Sequence, residues 1–197
     1  RYGDGLREIK KHDLQNKHRA IFVSPDFSHL PWYADHPSDA AIRQESYLLN
    51  SVIPFVDRTY PVQGGPTGRL LLGFSKSGWG AWTLLLRHPE KFQKAVAWDA
   101  PLMMREVGKY GSGSIFGTQE NFEKYHITRL LREKSKTLGK SKRLILMGYG
   151  GFRQDHEQMH SLLNELSIEH EFRNGPERTH DWHSGWVPEA VDLLMAN

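Results

Sequence analysis

Short apolar runs that alternate with helical segments constrain this 197-residue chain more than any other feature. Five runs have strand character. The first is Ala20-Ile21-Phe22-Val23, closed by Ser24-Pro25-Asp26; the others are residues 69–74, 95–98 and 144–147, and a weaker run over 167–172. Branched, aromatic and continuous apolar residues bounded by turn formers predict buried strands. Between them lie helical patterns over 6–17, 79–88 and 155–166, the last with Met159, Leu162, Leu163 and Leu166 on one face. A longer helix is expected over 38–60. Ser38 would cap it, Ile42, Leu48, Leu49, Val52, Ile53 and Val56 form its stripe, and Pro54 should kink it. Pro188 stands where a final helix over 189–195 would begin. Strands alternating with helices predict an α/β fold: a parallel sheet covered on both faces. Residues 104–143 break the alternation with glycines and serines, then a charged helix. They predict a cap-like insertion in a single domain over 1–197.

Several classes drop out on composition. No apolar run approaches the roughly 20 residues of a membrane span. Lys and Arg number 26 against 23 Asp and Glu. They are scattered among the acids, densest over 129–143, so nucleic acid is not an expected partner. The absence of cysteine excludes a thiol nucleophile, a disulfide framework and cysteine-based zinc sites. Arg1-Tyr2-Gly3-Asp4-Gly5 reads as a loop already under way, with no signal peptide visible, so residues, including N-terminal strands, are expected upstream of Arg1. Compartment and oligomeric state are not set by any of these features.

Gly73-Phe74-Ser75-Lys76-Ser77-Gly78 lies between an expected strand and an expected helix. In a nucleophile elbow a serine occupies a sharp, strained turn, and small neighbours let strand and helix approach. The hydroxyl then sits at a helix N-terminus, where free N–H groups and the helix dipole stabilise a developing oxyanion. Gly-x-Ser alone carries little, since about one match is expected by chance in a chain of this composition. The strict pattern has glycine at its fifth position, and this chain has Ser77, followed by Gly78 and Gly80.

Three separated segments resemble one family. Gly73 to Ala81 is similar to a G-x-S-x-G-G-x-G-A elbow, and Leu86-Arg87-His88-Pro89-Glu90-Lys91-Phe92 to the helix end that follows it. Val52-Ile53-Pro54-Phe55-Val56-Asp57-Arg58-Thr59-Tyr60 is similar to the helix that precedes it. Together they resemble the esterase D and enterochelin-esterase-like group of α/β-hydrolases, from about residue 20 onward and least over 104–143. The resemblance implies the α/β-hydrolase fold and a serine carboxylesterase acting on a small-molecule ester through an acyl-enzyme. That chemistry requires no metal and no organic cofactor.

Acyl transfer by serine needs a base, and the base an orienting carboxylate. His180, in Thr179-His180-Asp181-Trp182-His183, lies between the last strand and the last helix, where the fold's Ser–acid–His order puts the base. His183 is its local rival. The family's acid belongs in the loop after the strand at 144–147, but this chain has Tyr149-Gly150-Gly151 there. Asp99 ends the strand at 95–98, at the carboxyl edge of the sheet where such sites gather, as in some lipases. Asp155 is the alternative acid, although Asp155 and Gln158 also read as a helix N-cap and its reciprocal partner. The first oxyanion donor is expected to be the backbone N–H of Lys76. The second would come from the loop before the first helix, upstream of Arg1, or from Pro25-Asp26-Phe27 as a substitute.

Two other classes compete. His156-Glu157-Gln158-Met159-His160 matches H-E-x-x-H, the zinc-protease helix, with His170 or Glu171 as a third ligand. On a helix, however, His156 and His160 lie about 60° and about 100° from Met159, on the flanks rather than the inward face. A non-catalytic relative used for binding would accommodate Ser77 and the displaced acid, but keeping Ser75 together with His180 argues against it. Trp32, Tyr33, Trp79, Trp182 and Trp186 fall near the expected loops. They suit either an aromatic substrate or a packed core, and the core is the simpler expectation.

Overall fold

Apolar side chains on both faces of the first three strands set the architecture. In this computed structural model, which describes residues 2–138 and 140–196, four strands form one parallel sheet in the order β1-β2-β3-β4. They are β1 (Leu70–Phe74), β2 (Lys94–Trp98), β3 (Leu144–Tyr149) and β4 (His170–Glu177). Leu71 pairs with Ala95, Val96 with Ile145 and Leu146 with Phe172. The helices are α1 (Gly5–Lys11), α2 (Leu14–Lys17), α3 (Gln44–Tyr47), α4 (Ile53–Thr59), α5 (Lys76–Arg87), α6 (Gly113–Phe116), α7 (Gln119–Glu123), α8 (Ile127–Leu138), α9 (Arg153–Glu165) and α10 (Val187–Met195).

The pleat divides β1, β2 and β3 between two cores, while β4 adds Phe172 to the first. Leu71, Ala95, Ala97, Leu144 and Leu146 face the side covered by α5 and α9, with α8 packed outside α5. Leu70, Leu72, Phe74, Val96, Trp98, Ile145 and Met147 face the side covered by α10 and α1. Trp32, Trp79 and Trp186 are fully buried in these cores, and Trp182 packs against Phe74. The core reading of the tryptophans is the one the structure shows.

Several local expectations change. Residues 20–23 form no strand: Ile21 and Val23 are half exposed, and Phe22 alone packs on a core. Strand-forming composition becomes a strand only where a neighbour takes up its backbone groups, and β1 pairs with β2 alone. The helix expected over 6–17 breaks at Asp13, whose φ of +51° is left-handed. Ser38 caps nothing; its N–H donates to His36 Nδ1, and the long helix starts at Gln44. Ahead of Pro54 that helix widens into a π-turn over Leu48–Val52, and the proline then enters the first turn of α4, where its missing N–H does no harm. The last strand runs later than 167–172. Arg1 lies outside the described residues, as does Gly139 within the 104–143 segment.

Candidate active site

The carboxyl ends of β1 and β2 and the loop after β4 converge on one point. Ser75 sits between β1 and α5 with φ +54° and ψ −121°, a conformation a non-glycine residue adopts only under constraint. The constraint is visible around it. Ser75 N donates to Trp98 O at 3.0 Å, and Trp79 N closes the first turn of α5 on Ser75 O. A Cβ on Gly73 would come within 2.2 Å of Ser77 O, so only glycine lets the strand run this close to the helix. The serine at the fifth position braces the strand end, since Ser77 Oγ donates to Phe74 O at 2.8 Å and accepts from Phe74 N at 3.0 Å. Gly78 makes the close approach, since a Cβ there would lie 2.9 Å from Ala100 Cβ.

His180 Nε2 lies 3.2 Å from Ser75 Oγ, and His180 Nδ1 lies 2.5 Å from Asp99 Oδ2. Asp99 is fully buried and has φ +41°. Its carboxylate also accepts from Gly151 N at 2.9 Å and Phe152 N at 2.7 Å. Burial raises its pKa, but the hydrogen bonds from His180 and from the N–H groups of Gly150, Gly151 and Phe152 outweigh that, so the carboxyl stays below its usual value and ionised. The loop after β3, where the resembled family carries its acid, here supplies N–H groups that hold the Asp99 carboxylate. Gly150 is small for the same reason: a Cβ would meet Arg178 O at 2.7 Å and Asp99 Oδ2 at 2.9 Å.

The rival residues are engaged elsewhere. His183 Nδ1 pairs with Glu8 Oε1 at 2.8 Å. Asp155 is not an N-cap; Phe152 holds that position without a side-chain cap, and Asp155 Oδ2 accepts from Met103 N at 2.9 Å. Burial raises the Asp155 pKa and the Asp99 charge adds to it, against the bond from Met103. The H-E-x-x-H residues do not converge. His156 is buried with Nε2 accepting from Ala100 N, His160 Nδ1 faces His170 Nε2 at 2.7 Å, and Glu157 pairs with Arg153 and Asn174. Among the described residues, no group of three or more His, Cys, Asp or Glu is disposed to hold a metal ion.

Around the imidazole stand Phe74 at 4.5 Å between ring centroids, Tyr2 edge-on at 5.6 Å and Phe152 at 5.7 Å. Tyr110 packs edge-on against Phe152, so the start of the 104–143 segment reaches the same neighbourhood. Tyr2, Tyr110 and Phe152 carry no sequence signal of their own, because each reaches the site from a separate loop. Phe27 instead packs against Tyr33 and Tyr47. Lys76 opens α5, so its N–H has no helical carbonyl four residues back. Its half-buried ammonium has its pKa lowered by desolvation.

Residues 20–186 match the family Esterase, described as "Putative esterase". No curated protein sequence matches. Among solved structures, the S-formylglutathione hydrolase FrmB of Staphylococcus aureus superposes with a TM-score of 0.76 at 20% identity, over 97% of this chain and 78% of that one. The fluorophosphonate-binding serine hydrolase FphF of the same organism gives 0.73 at 21% identity, over 98% and 78%. The ferulic acid esterase AmCE1/Fae1A of Anaeromyces mucronatus gives 0.61 at 15% identity, over 100% and 74%. At these identities the likeness is one of fold: a four-stranded part of the α/β-hydrolase sheet with its covering helices.

Proposed function

The chain belongs to the Esterase family and is a carboxylesterase-type hydrolase of the α/β-hydrolase fold, and from that premise we propose that it works through an acyl-enzyme on Ser75. One observation carries this reading: an unbroken hydrogen-bonded line from Ser75 Oγ through His180 to Asp99, assembled from three separate loops. Ser75 Oγ attacks the ester carbonyl while His180 Nε2 takes its proton. Asp99 holds Nδ1–H, fixes the tautomer and stabilises the imidazolium that forms. The Lys76 N–H faces the developing oxyanion, an interaction of which each donor contributes about 10²–10³ in rate. His180 then protonates the leaving alkoxide, and the same residues activate water to release the acid. The loop before α1 reaches the triad at Tyr2, whose ring stands edge-on to His180 and whose carbonyl accepts from Trp182 N at 2.8 Å.

Small-molecule esters are the substrate class. The names of the relatives point to a thioester of glutathione and to ferulic acid esters. Tyr2 and Phe152 beside His180, with Tyr110 packed against Phe152, favour an aromatic group on one side of the scissile bond. The start of the 104–143 segment is accordingly assigned to the rim of the site, while α8 at its other end belongs to the helical layer. Intact-mass labelling with a fluorophosphonate tests the nucleophile. A single adduct that is lost in Ser75→Ala supports it; an adduct retained in Ser75→Ala, or none on folded protein, refutes it.

A further inference from the structure

The H-E-x-x-H segment takes no direct part in the triad, yet its first histidine is one of the most deeply buried polar groups in the chain. His156 is 1% exposed. Its Nε2 accepts from the N–H of Ala100 at 2.9 Å, so the ring proton sits on Nδ1, which has no hydrogen-bond partner. An orphaned donor in a core is costly and calls for an explanation. Packing alone does not supply one, since leucine or methionine would fill the space without the orphan.

The partner supplies it. Ala100 follows Asp99, where the chain leaves β2 through a left-handed residue. One residue before His156, Asp155 accepts from Met103 N at 2.9 Å. The start of α9 thus grips the 99–103 turn twice through side chains. The loop just ahead of it grips the Asp99 carboxylate twice through Gly151 N and Phe152 N. Carboxylate and backbone are fixed to the same helix end. A rotation of the turn that moved Asp99 away from His180 would break all four bonds. Asp99, Asp155 and Lys109 are the charges felt at this helix end, and His156 is the neutral member.

We propose that His156, with Asp155, is a positioning residue that holds the Asp99 turn so that the carboxylate meets His180 Nδ1. The inference rests on the assignment of Ser75, His180 and Asp99 as the triad. It makes the apparent zinc motif the anchor of the catalytic acid: the histidine acts as a hydrogen-bond acceptor toward a backbone amide.

The test compares His156→Leu, which removes the acceptor, with His156→Gln, whose Oε1 reaches about as far as Nε2. An aryl acetate serves as substrate across a pH series. In His156→Leu, kcat is expected to fall about 10²-fold, the size of effect a misplacement near 1 Å produces, with KM within about twofold. The acidic limb of the kcat/KM profile should move to lower pH, because an imidazolium that has lost its carboxylate is less stable. His156→Gln should return kcat to within about threefold of the wild-type and restore the limb. Unchanged kcat and an unmoved limb in a folded His156→Leu, or equal losses in Leu and Gln, overturn the inference. If His156→Leu does not fold, Asp155→Ala against Asp155→Asn decides at the Met103 end: loss in Ala with recovery in Asn supports it, and wild-type kcat in both overturns it. Full hydrolysis by Ser75→Ala marks a failure of the triad assignment itself, separately from these outcomes.

Discussion

Glu8 Oε1 lies 2.8 Å from His183 Nδ1, a contact across 175 positions of sequence that ties the first helix to the loop bearing His180. The Glu8 side chain is 2% exposed, and Lys11 and His12 flank it. Burial raises its pKa, but the bonds from His183 and Lys11 prevail and leave it below the usual value. Its contribution to stability is therefore present above about pH 4.5 and is lost as pH falls through the lower folded value. Removing the carboxylate in Glu8→Ala is expected to cost about 1.5–3 kcal/mol, the range for a charged hydrogen bond, and to lower kcat about tenfold as the His180 loop loosens. Lys11→Ala, at the exposed end of the same cluster, should stay within about 0.5 kcal/mol. Urea unfolding and steady-state kinetics on the two variants check both values.

Asp99→Asn and Asp155→Asn should separate sharply. With asparagine at 99, the amide no longer holds the Nδ1–H tautomer, and kcat should fall on the order of 10³–10⁴-fold. Asparagine at 155 keeps an acceptor for Met103 N, so kcat should change by less than about threefold. Rates for both variants at pH 8 decide it; equal small losses would mean that neither carboxylate is the acid.

What the sequence reveals here depends on how far apart the interacting groups lie. Ser75 is legible because the elbow is local: Gly73, Ser77 and Gly78 all act within five residues of it. His180 and Asp99 are legible because strand ends in this fold share one edge. Residues 20–23 mislead because strand character needs a pairing partner that composition does not specify. Asp155 matches an N-cap pattern, yet it serves Met103, and that bond depends on a turn 52 residues away. His156 gives only the misleading signal of the H-E-x-x-H match and Glu8 gives none, since their partners are a backbone amide and a histidine brought in by the tertiary fold.

The fifth elbow position yields a graded test. Ser77→Ala removes both bonds to Phe74 and should cost about 1–2 kcal/mol, with Ser75 still labelled by a fluorophosphonate. Gly73→Ala places a Cβ 2.2 Å from Ser77 O, so backbone must move. That variant should lose about 3 kcal/mol or more and the label together. Thermal melts alongside intact-mass labelling distinguish the two. A well-folded, fully labelled Gly73→Ala would mean the elbow is looser than its contacts indicate.

His156 also makes the fold sensitive to mild acid. Desolvation lowers its pKa from 6.5 to about 4, partly opposed by the Asp99 charge. A histidine buried neutral is protonated more readily in the unfolded chain, so native stability is complete above about pH 6.5. It declines as pH falls toward 4 and levels off below that. The drop over this window is about 3–4 kcal/mol, from roughly 2.5 pH units at about 1.4 kcal/mol each. The carboxylates with lowered values, Glu8, Glu45 and Asp99 among them, release their contributions below about pH 4.5 and so do not account for it. His170, half-buried with its pKa also lowered by desolvation, adds a smaller loss in the same direction. Urea midpoints at pH 7 and pH 4.8 should therefore differ strongly in the wild-type and much less in His156→Gln, which has no proton to gain. Parallel losses in both proteins would place the acid sensitivity elsewhere in the fold.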